Sequence, residues 1–307
     1  MENQFENFET FYVTKLKPQL DKLEPKSNDI SKWTIAGFAS LFLCIACFVI
    51  DEPVAAVIFI ILIIISIYNY TRKSEDYVYN YKETIIKEII EYLNPGAIYK
   101  PLGMISPIDY EKSGLFPRKY DSYQGEDWIN GTYKNVTYYC SELETFRIGS
   151  GRSRYEKGIF RGLFFVAPIR NTYSATYVWP ANDVRLPVSI ADYHFERFLP
   201  LPEISPVDMG NSEFENYFAV YSNDGATARS LINDSMMHRM IGFRQQIQRD
   251  VRFSFVEGIC FVAIAVNNDL LEPSVSDPLN KENVKEYFFS VLLILSIINQ
   301  LDLKSLV

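Results

Sequence analysis

WTIAGFASLFLCIACFVI (Trp33–Ile50) and PVAAVIFIILIIISIYNY (Pro53–Tyr70) lie back to back, separated only by Asp51 and Glu52. Each run matches the roughly 17–25 apolar residues that cross a bilayer core as a helix. Neither contains an ionised side chain. Leu, Ile, Phe and Val each favour mid-membrane insertion by roughly 0.3–0.6 kcal/mol, so the sum over either run is several kcal/mol. A soluble core helix carries a polar stripe, which both runs lack. Trp33 at one end and Tyr68 and Tyr70 at the other suit the interfacial aromatic belt. Pro53 suits a first helical turn, where a missing N–H costs nothing. The pair reads as a transmembrane hairpin. A cleaved signal peptide fits poorly, because a polar, charged segment precedes the first run and a second span follows at once.

The flanks set the expected orientation. Lys15, Lys17, Lys22, Lys26 and Lys32 precede the hairpin, Arg72, Lys73, Lys82 and Lys87 follow it, and the turn carries only acids. The positive-inside bias then places both termini and the main domain in the cytoplasm, on an inner (plasma) membrane. The formal net charge of −8 argues against general nucleic-acid binding. The four cysteines form no framework. Cys44 and Cys47 lie inside the first span, and Cys140 and Cys260 stand alone in expected strands, as in a reducing compartment.

Four segments are expected: 1–32 as an amphipathic cytoplasmic helix, 33–70 as the hairpin, 71–95 as a juxtamembrane helix, and 96–307 as a cytoplasmic α+β domain. Phe5, Phe8, Tyr12, Leu16, Leu20 and Leu23 share one helical face, and Pro25 is expected to end that helix. Tyr77, Tyr81, Ile85, Ile89 and Tyr92 mark a second face, stopped by Asn94-Pro95-Gly96. The two helices are expected to pack as an antiparallel stalk. Beyond Gly96, short aromatic and β-branched runs alternate with turn residues, which predicts a mixed, mainly antiparallel sheet. Expected strands are Trp128–Ile129, Asn135–Phe146, Gly158–Pro168, Ala175–Trp179, Phe218–Tyr221, Val251–Glu257 and Ile259–Val266. Asn130-Gly131 is the expected hairpin turn. A helical stretch over Ala226–Arg249 should break near Asn233-Asp234-Ser235. The helix Asn280–Leu301 has an apolar centre of only about twelve residues, too short for a third span, so it reads as a core helix.

No catalytic signature stands out. His194 and His238 have no companion at ligand spacing, and no H-E-x-x-H, G-x-S-x-G or phosphate-binding glycine loop occurs. No cofactor and no metal are expected. Gly149-Ser150-Gly151 opens like a dinucleotide fingerprint, but Arg154 stands where the third glycine belongs. Arg147, Arg152, Arg154, Lys157 and Arg161 are candidates for holding anionic lipid headgroups, through guanidinium forks and point charges. Glu126-Asp127 and Glu142-x-Glu144, with Glu111 and Asp121, form a carboxylate cluster able to do acid–base work or bind a divalent ion. An exposed acidic strand face is the ordinary alternative.

EKSGLF (Glu111–Phe116), GEDWINGTY (Gly125–Tyr133) and SELET (Ser141–Thr145) recur in one order with KGIFRGLFFVAP (Lys157–Pro168). SEFENYFAVYSNDGATARSLI (Ser212–Ile232) and VRFSFVEGICFVAI (Val251–Ile264) complete the set. Together they resemble an uncharacterised bacterial membrane-protein family, the domain of unknown function of family 3137. The resemblance implies a mixed α+β cytoplasmic domain on a membrane anchor and carries over no catalytic residue. The expected function is a non-enzymatic, membrane-anchored interaction or scaffold module, with a protein partner, self-association or the inner-leaflet surface as its target. The alternative is a membrane-tethered hydrolase using the carboxylate cluster, with or without a divalent metal.

Overall fold

The computed structural model describes residues 8–148, 156–170, 174–182, 203–275 and 281–307. The fold is α+β, with two long apolar helices followed by a nine-stranded antiparallel sheet with helices. It divides into two units: Met1–Leu93 with Leu271–Val291, and Asn94–Leu270 with Leu292–Val307.

The first unit is helical. Helix α1 (Phe8–Val49) and helix α2 (Pro53–Leu93) are each long and apolar enough to cross a membrane. Along Trp33–Tyr70 most large apolar side chains face outward, Phe42 and Val49 among the most exposed. Outside that stretch the pattern inverts. Leu16, Leu20, Leu23, Tyr77, Tyr81, Ile85 and Ile89 are buried. Phe11 stacks on Tyr92 with centroids 3.9 Å apart, and Phe8 meets Phe288 edge-on at 5.2 Å. The third partner in this packing is the N-terminal half of helix α7 (Lys281–Gln300), defined below.

One expectation fails here. Pro25 does not end its helix, because α1 runs through it without a break. Proline removes one backbone hydrogen bond and costs about 3 kcal/mol in a helix interior. Pro25 itself is exposed, and the buried Leu20, Leu23, Ser27 and Ile30 hold the helix on both sides.

The second unit is built on strands β1 (Ile98–Lys100), β2 (Ser122–Tyr133), β3 (Val136–Ile148), β4 (Glu156–Pro168), β5 (Thr176–Pro180), β6 (Ser205–Val207), β7 (Phe218–Ser222), β8 (Val251–Val256) and β9 (Ile259–Ala265). Their order is β1-β2-β3-β4-β9-β8-β5-β7-β6. Helices α3 (Pro107–Lys112), α4 (Ser212–Tyr217), α5 (Gly225–Leu231) and α6 (Asp234–Ile247) join the strands, and α7 closes the chain. The break inside the Ala226–Arg249 stretch falls where expected. Asn233 caps α6 by accepting from the Met236 N–H at 3.1 Å. The apolar face of α7, including Val284, Val291, Ile294, Leu295, Ile297 and Ile298, is buried, as in a core helix.

A second expectation fails at Asn130-Gly131. These residues lie inside β2, opposite Tyr139 and Tyr138. The hairpin turns instead at Lys134-Asn135, both at positive φ (49° and 70°), as a two-residue type I′ loop requires. Gly131 serves close approach rather than turning. A Cβ there would stand 2.7 Å from Asn94 Nδ2 and 3.1 Å from Ala97 Cβ.

Candidate functional site

The carboxylate cluster of the sequence becomes a cavity of about 330 Å³ on the sheet, lined in part by Gln124, Glu126, Glu142, Glu144, Arg161 and Asp269. Strand period two places Glu142 and Glu144 together on this face. Register aligns Glu142 with Glu126 on one side and Leu163 on the other, and Glu144 with Gln124 and Arg161. Next to this row β2 bulges. The register slips between Glu126 and Ile129, and Asp127 adopts a positive φ of 59°. Bulges re-aim side chains, and here Asp127 is buried, accepting a hydrogen bond from the Tyr99 hydroxyl.

Glu142 is only 6% exposed. Both its carboxyl oxygens lie 2.9 Å from the Leu270 N–H, which donates to them. Burial, reinforced by the nearby Asp127 charge, pushes its pKa up to about 8. Near neutrality this carboxyl is therefore largely protonated. Arg161, aligned with Glu144 on the neighbouring strand, donates from Nη2 to both oxygens of Asp269 at 3.0 Å, with Glu144 at 3.9 Å from Nη1. Adjacent residues Asp269 and Leu270 are thus gripped by β4 and β3, respectively. Gly162, beside Arg161, has a φ of 148°, and a Cβ there would lie 2.1 Å from the Ile264 carbonyl oxygen. Only glycine lets β4 lie this close to β9.

The structure sorts the basic candidates. Arg147 is exposed near the end of β3 and aligned with Lys157 of β4. Arg161 is paired with Asp269. Arg152 and Arg154, the Gly149-Ser150-Gly151 loop, the Lys157 side chain and His194 lie outside the described residues. His238 donates from Nδ1 to the Asp234 carbonyl at 2.7 Å, a contact local to α6. The remaining acids are engaged elsewhere. Glu111 accepts from the Tyr120 hydroxyl at 2.7 Å, and Asp121 from the Ile148 N–H at 2.7 Å. Among the described residues, no group of three or more His, Cys, Asp or Glu is arranged to hold a metal ion. The grip on Asp269 and Leu270 was not visible in sequence, since its partners lie more than a hundred positions apart.

A second feature of this unit is apolar. Leu102 and Ile108 are 78% and 73% exposed, and Met104 between them is 44% exposed. All three fall between β1 and the end of α3, on one short stretch of chain.

No curated protein matches the chain. Among solved structures, the mycobacterial trehalose monomycolate transport factor A, TtfA, aligns with 11% identity and a TM-score of 0.34, over 71% of this chain and 94% of that one. The motifs before Lys157 precede the stretch that matches a family, whereas the three later ones fall in it almost entirely. Residues 158–303 match the family model described as "Protein of unknown function (DUF3137)", and over that stretch the family resemblance read from the motifs holds.

Proposed function

We propose that the chain is a membrane-anchored interaction module. The helical hairpin anchors it in a bacterial inner membrane, both termini lie in the cytoplasm, and the sheet unit binds a protein partner there. The carrying observation is Leu102, Met104 and Ile108, three large apolar side chains exposed within one short stretch of the sheet unit, since exposed apolar patches mark contact sites. The polar groups of the sheet support the same reading. Glu142, Asp127, Asp121 and Asp269 are held by backbone N–H groups, a tyrosine hydroxyl and Arg161, which suits a rigid platform.

The test is crosslinking in intact membranes followed by capture of the full chain. Leu102→Asp with Ile108→Asp should abolish the crosslinked species while the chain stays in the membrane. A species of unchanged yield refutes this surface as the contact.

A second reading, a tethered hydrolase, draws on Glu142. A carboxyl with a pKa near 8 in a cavity has the protonation state of a general acid. Its metal-dependent form predicts thermal stabilisation by a divalent ion. A site filled to a hundred times its Kd adds about 2.7 kcal/mol, and an unchanged melting temperature with several such ions removes that form.

A further inference from the structure

We propose that the hairpin holds one phospholipid of net negative headgroup, with an acyl chain in a groove along the basic-flanked half of the two spans. This inference rests on the anchor reading above. The groove encloses about 320 Å³ and is lined by Trp33, Thr34, Gly37, Phe38 and Leu41 of α1 and Ile63, Ser66, Ile67 and Tyr70 of α2. It exists because the seam there is built from small residues. A Cβ on Gly37 would reach Ser66 Cβ at 3.5 Å, so the backbones approach closely and the larger neighbours become walls.

Its length selects the occupant. Trp33 to Leu41 is eight residues, or about 12 Å at 1.5 Å per residue. One leaflet of hydrocarbon is about 15 Å, half of the roughly 30 Å core. A helix from a second copy would use a seam crossing the whole membrane. Here the far half of the hairpin is closed, with Cys44, Cys47 and Ala56 buried against Phe59 and Ile63. The groove therefore fits one acyl chain in one leaflet.

Charge at its mouth selects the headgroup. The helical stripe Ile63–Ser66–Tyr70 continues to Lys73, which is ion-paired with Asp29. Lys32 stands 3.8 Å from the same Asp29 and its side chain is 76% exposed. Arg72 is exposed beside Lys73. Lys73 and Lys32 thus share one acid and Arg72 adds a third cation one residue away in sequence, while Glu75 and Asp76 stand about one turn further along the helix. A phosphodiester with no compensating ammonium complements that balance. Trp33 and Tyr70 flank the point where headgroup passes to chain, the depth that both side chains favour.

Trp33 supplies the readout. The full chain is placed in vesicles containing phosphatidylglycerol or phosphatidylcholine with brominated acyl chains at equal mole fraction, and the fluorescence lost relative to Trp33→Phe is measured. Brominated phosphatidylglycerol should quench Trp33 preferentially. That preference should fall about fivefold for each basic side chain removed in Lys32→Gln and Arg72→Gln. Gly37→Leu, which fills the groove, should abolish it. Equal quenching by the two lipids, or a preference that survives both charge variants, overturns the proposal. So does crosslinking of a Thr34→Cys chain to a second copy through this face. Alkaline extraction separates the two readings: a chain that leaves the membrane refutes the anchor, whereas equal quenching of a chain that stays refutes only the groove.

Discussion

A single buried carboxyl sets the pH response expected of the sheet. Glu142 rises from the ordinary 4.5 to about 8, chiefly by burial and secondarily by Asp127. Between those values the folded chain binds a proton that the unfolded chain has released. Stability from this group is therefore fully present below about pH 4.5 and is lost as the pH rises through about 8. A pKa displaced by one pH unit is worth about 1.4 kcal/mol. Glu142→Gln retains an oxygen to accept from the Leu270 N–H and removes the titration. Its melting temperature should fall less than that of the wild type between pH 5 and pH 8 (roughly the window those two values bracket). Parallel curves would show that Glu142 does not titrate there. Gly162 is the other residue on which the site depends. Gly162→Ala forces a Cβ against the Ile264 carbonyl at a left-handed φ and should cost at least about 2 kcal/mol in denaturant unfolding. A loss below half of that would mean β4 and β9 separate easily.

At the scale of elements, what was legible followed the range of the forces involved. The two long apolar helices, the N-cap at Asn233 and most strands announce themselves through nearest neighbours or through periodicity. The β2–β3 turn does not. Asn-Gly is the stronger local turn signal, yet Gly131 is needed where Asn94 and Ala97 crowd β2, and Lys134-Asn135 takes the turn. Asn135→Val places a β-branched residue at positive φ and should destabilise the chain by about 1–2 kcal/mol, while Asn130→Val stays in extended strand and should cost less. The reverse order of melting temperatures would contradict this register. Pro25 makes the same point, since local chemistry breaks the helix and burial on both sides restores it. The site was half legible. Period two places Glu142 and Glu144 together, but nothing near them in sequence announces that Leu270 and Asp269 complete the cavity. A further long-range pair lies in the helical unit. Lys82, nearly fully buried at a π-type turn of α2, reaches Glu272 at 2.8 Å. A lysine in a juxtamembrane helix reads as a basic flank. Its burial depends on a carboxylate that returns 190 positions later.

For the whole molecule, the decisive quantity is the side of the membrane on which the sheet unit works. On the proposed anchoring, two spans return the chain to the side it left, so the sheet unit shares a side with the N-terminal helix if α7 stays out of the bilayer. The burial of its apolar face argues that it does. On the same proposal, the basic residues choose the side. Lysines and arginines flank both outer ends of the hairpin, and its turn offers Asp51 and Glu52 alone. In this bias cations near short spans are retained in the cytoplasm, while acids contribute little. Of the flanking lysines, Lys82 is buried against Glu272 and contributes less than its formal charge, leaving Lys15, Lys17, Lys22, Lys26, Lys32, Arg72, Lys73 and Lys87 to set the orientation. A protein that fluoresces only in the cytoplasm, fused after Val307, should therefore be bright, and a reporter active only outside should be silent at the same junction. Adding four lysines to the Asp51-Glu52 turn should shift part of the population to the opposite pattern, because the charge difference across the hairpin is what holds it. A dark fusion of normally expressed chain would invert the topology. A bright one that ignores the added lysines would mean that packing in the helical unit, rather than flanking charge, fixes the orientation.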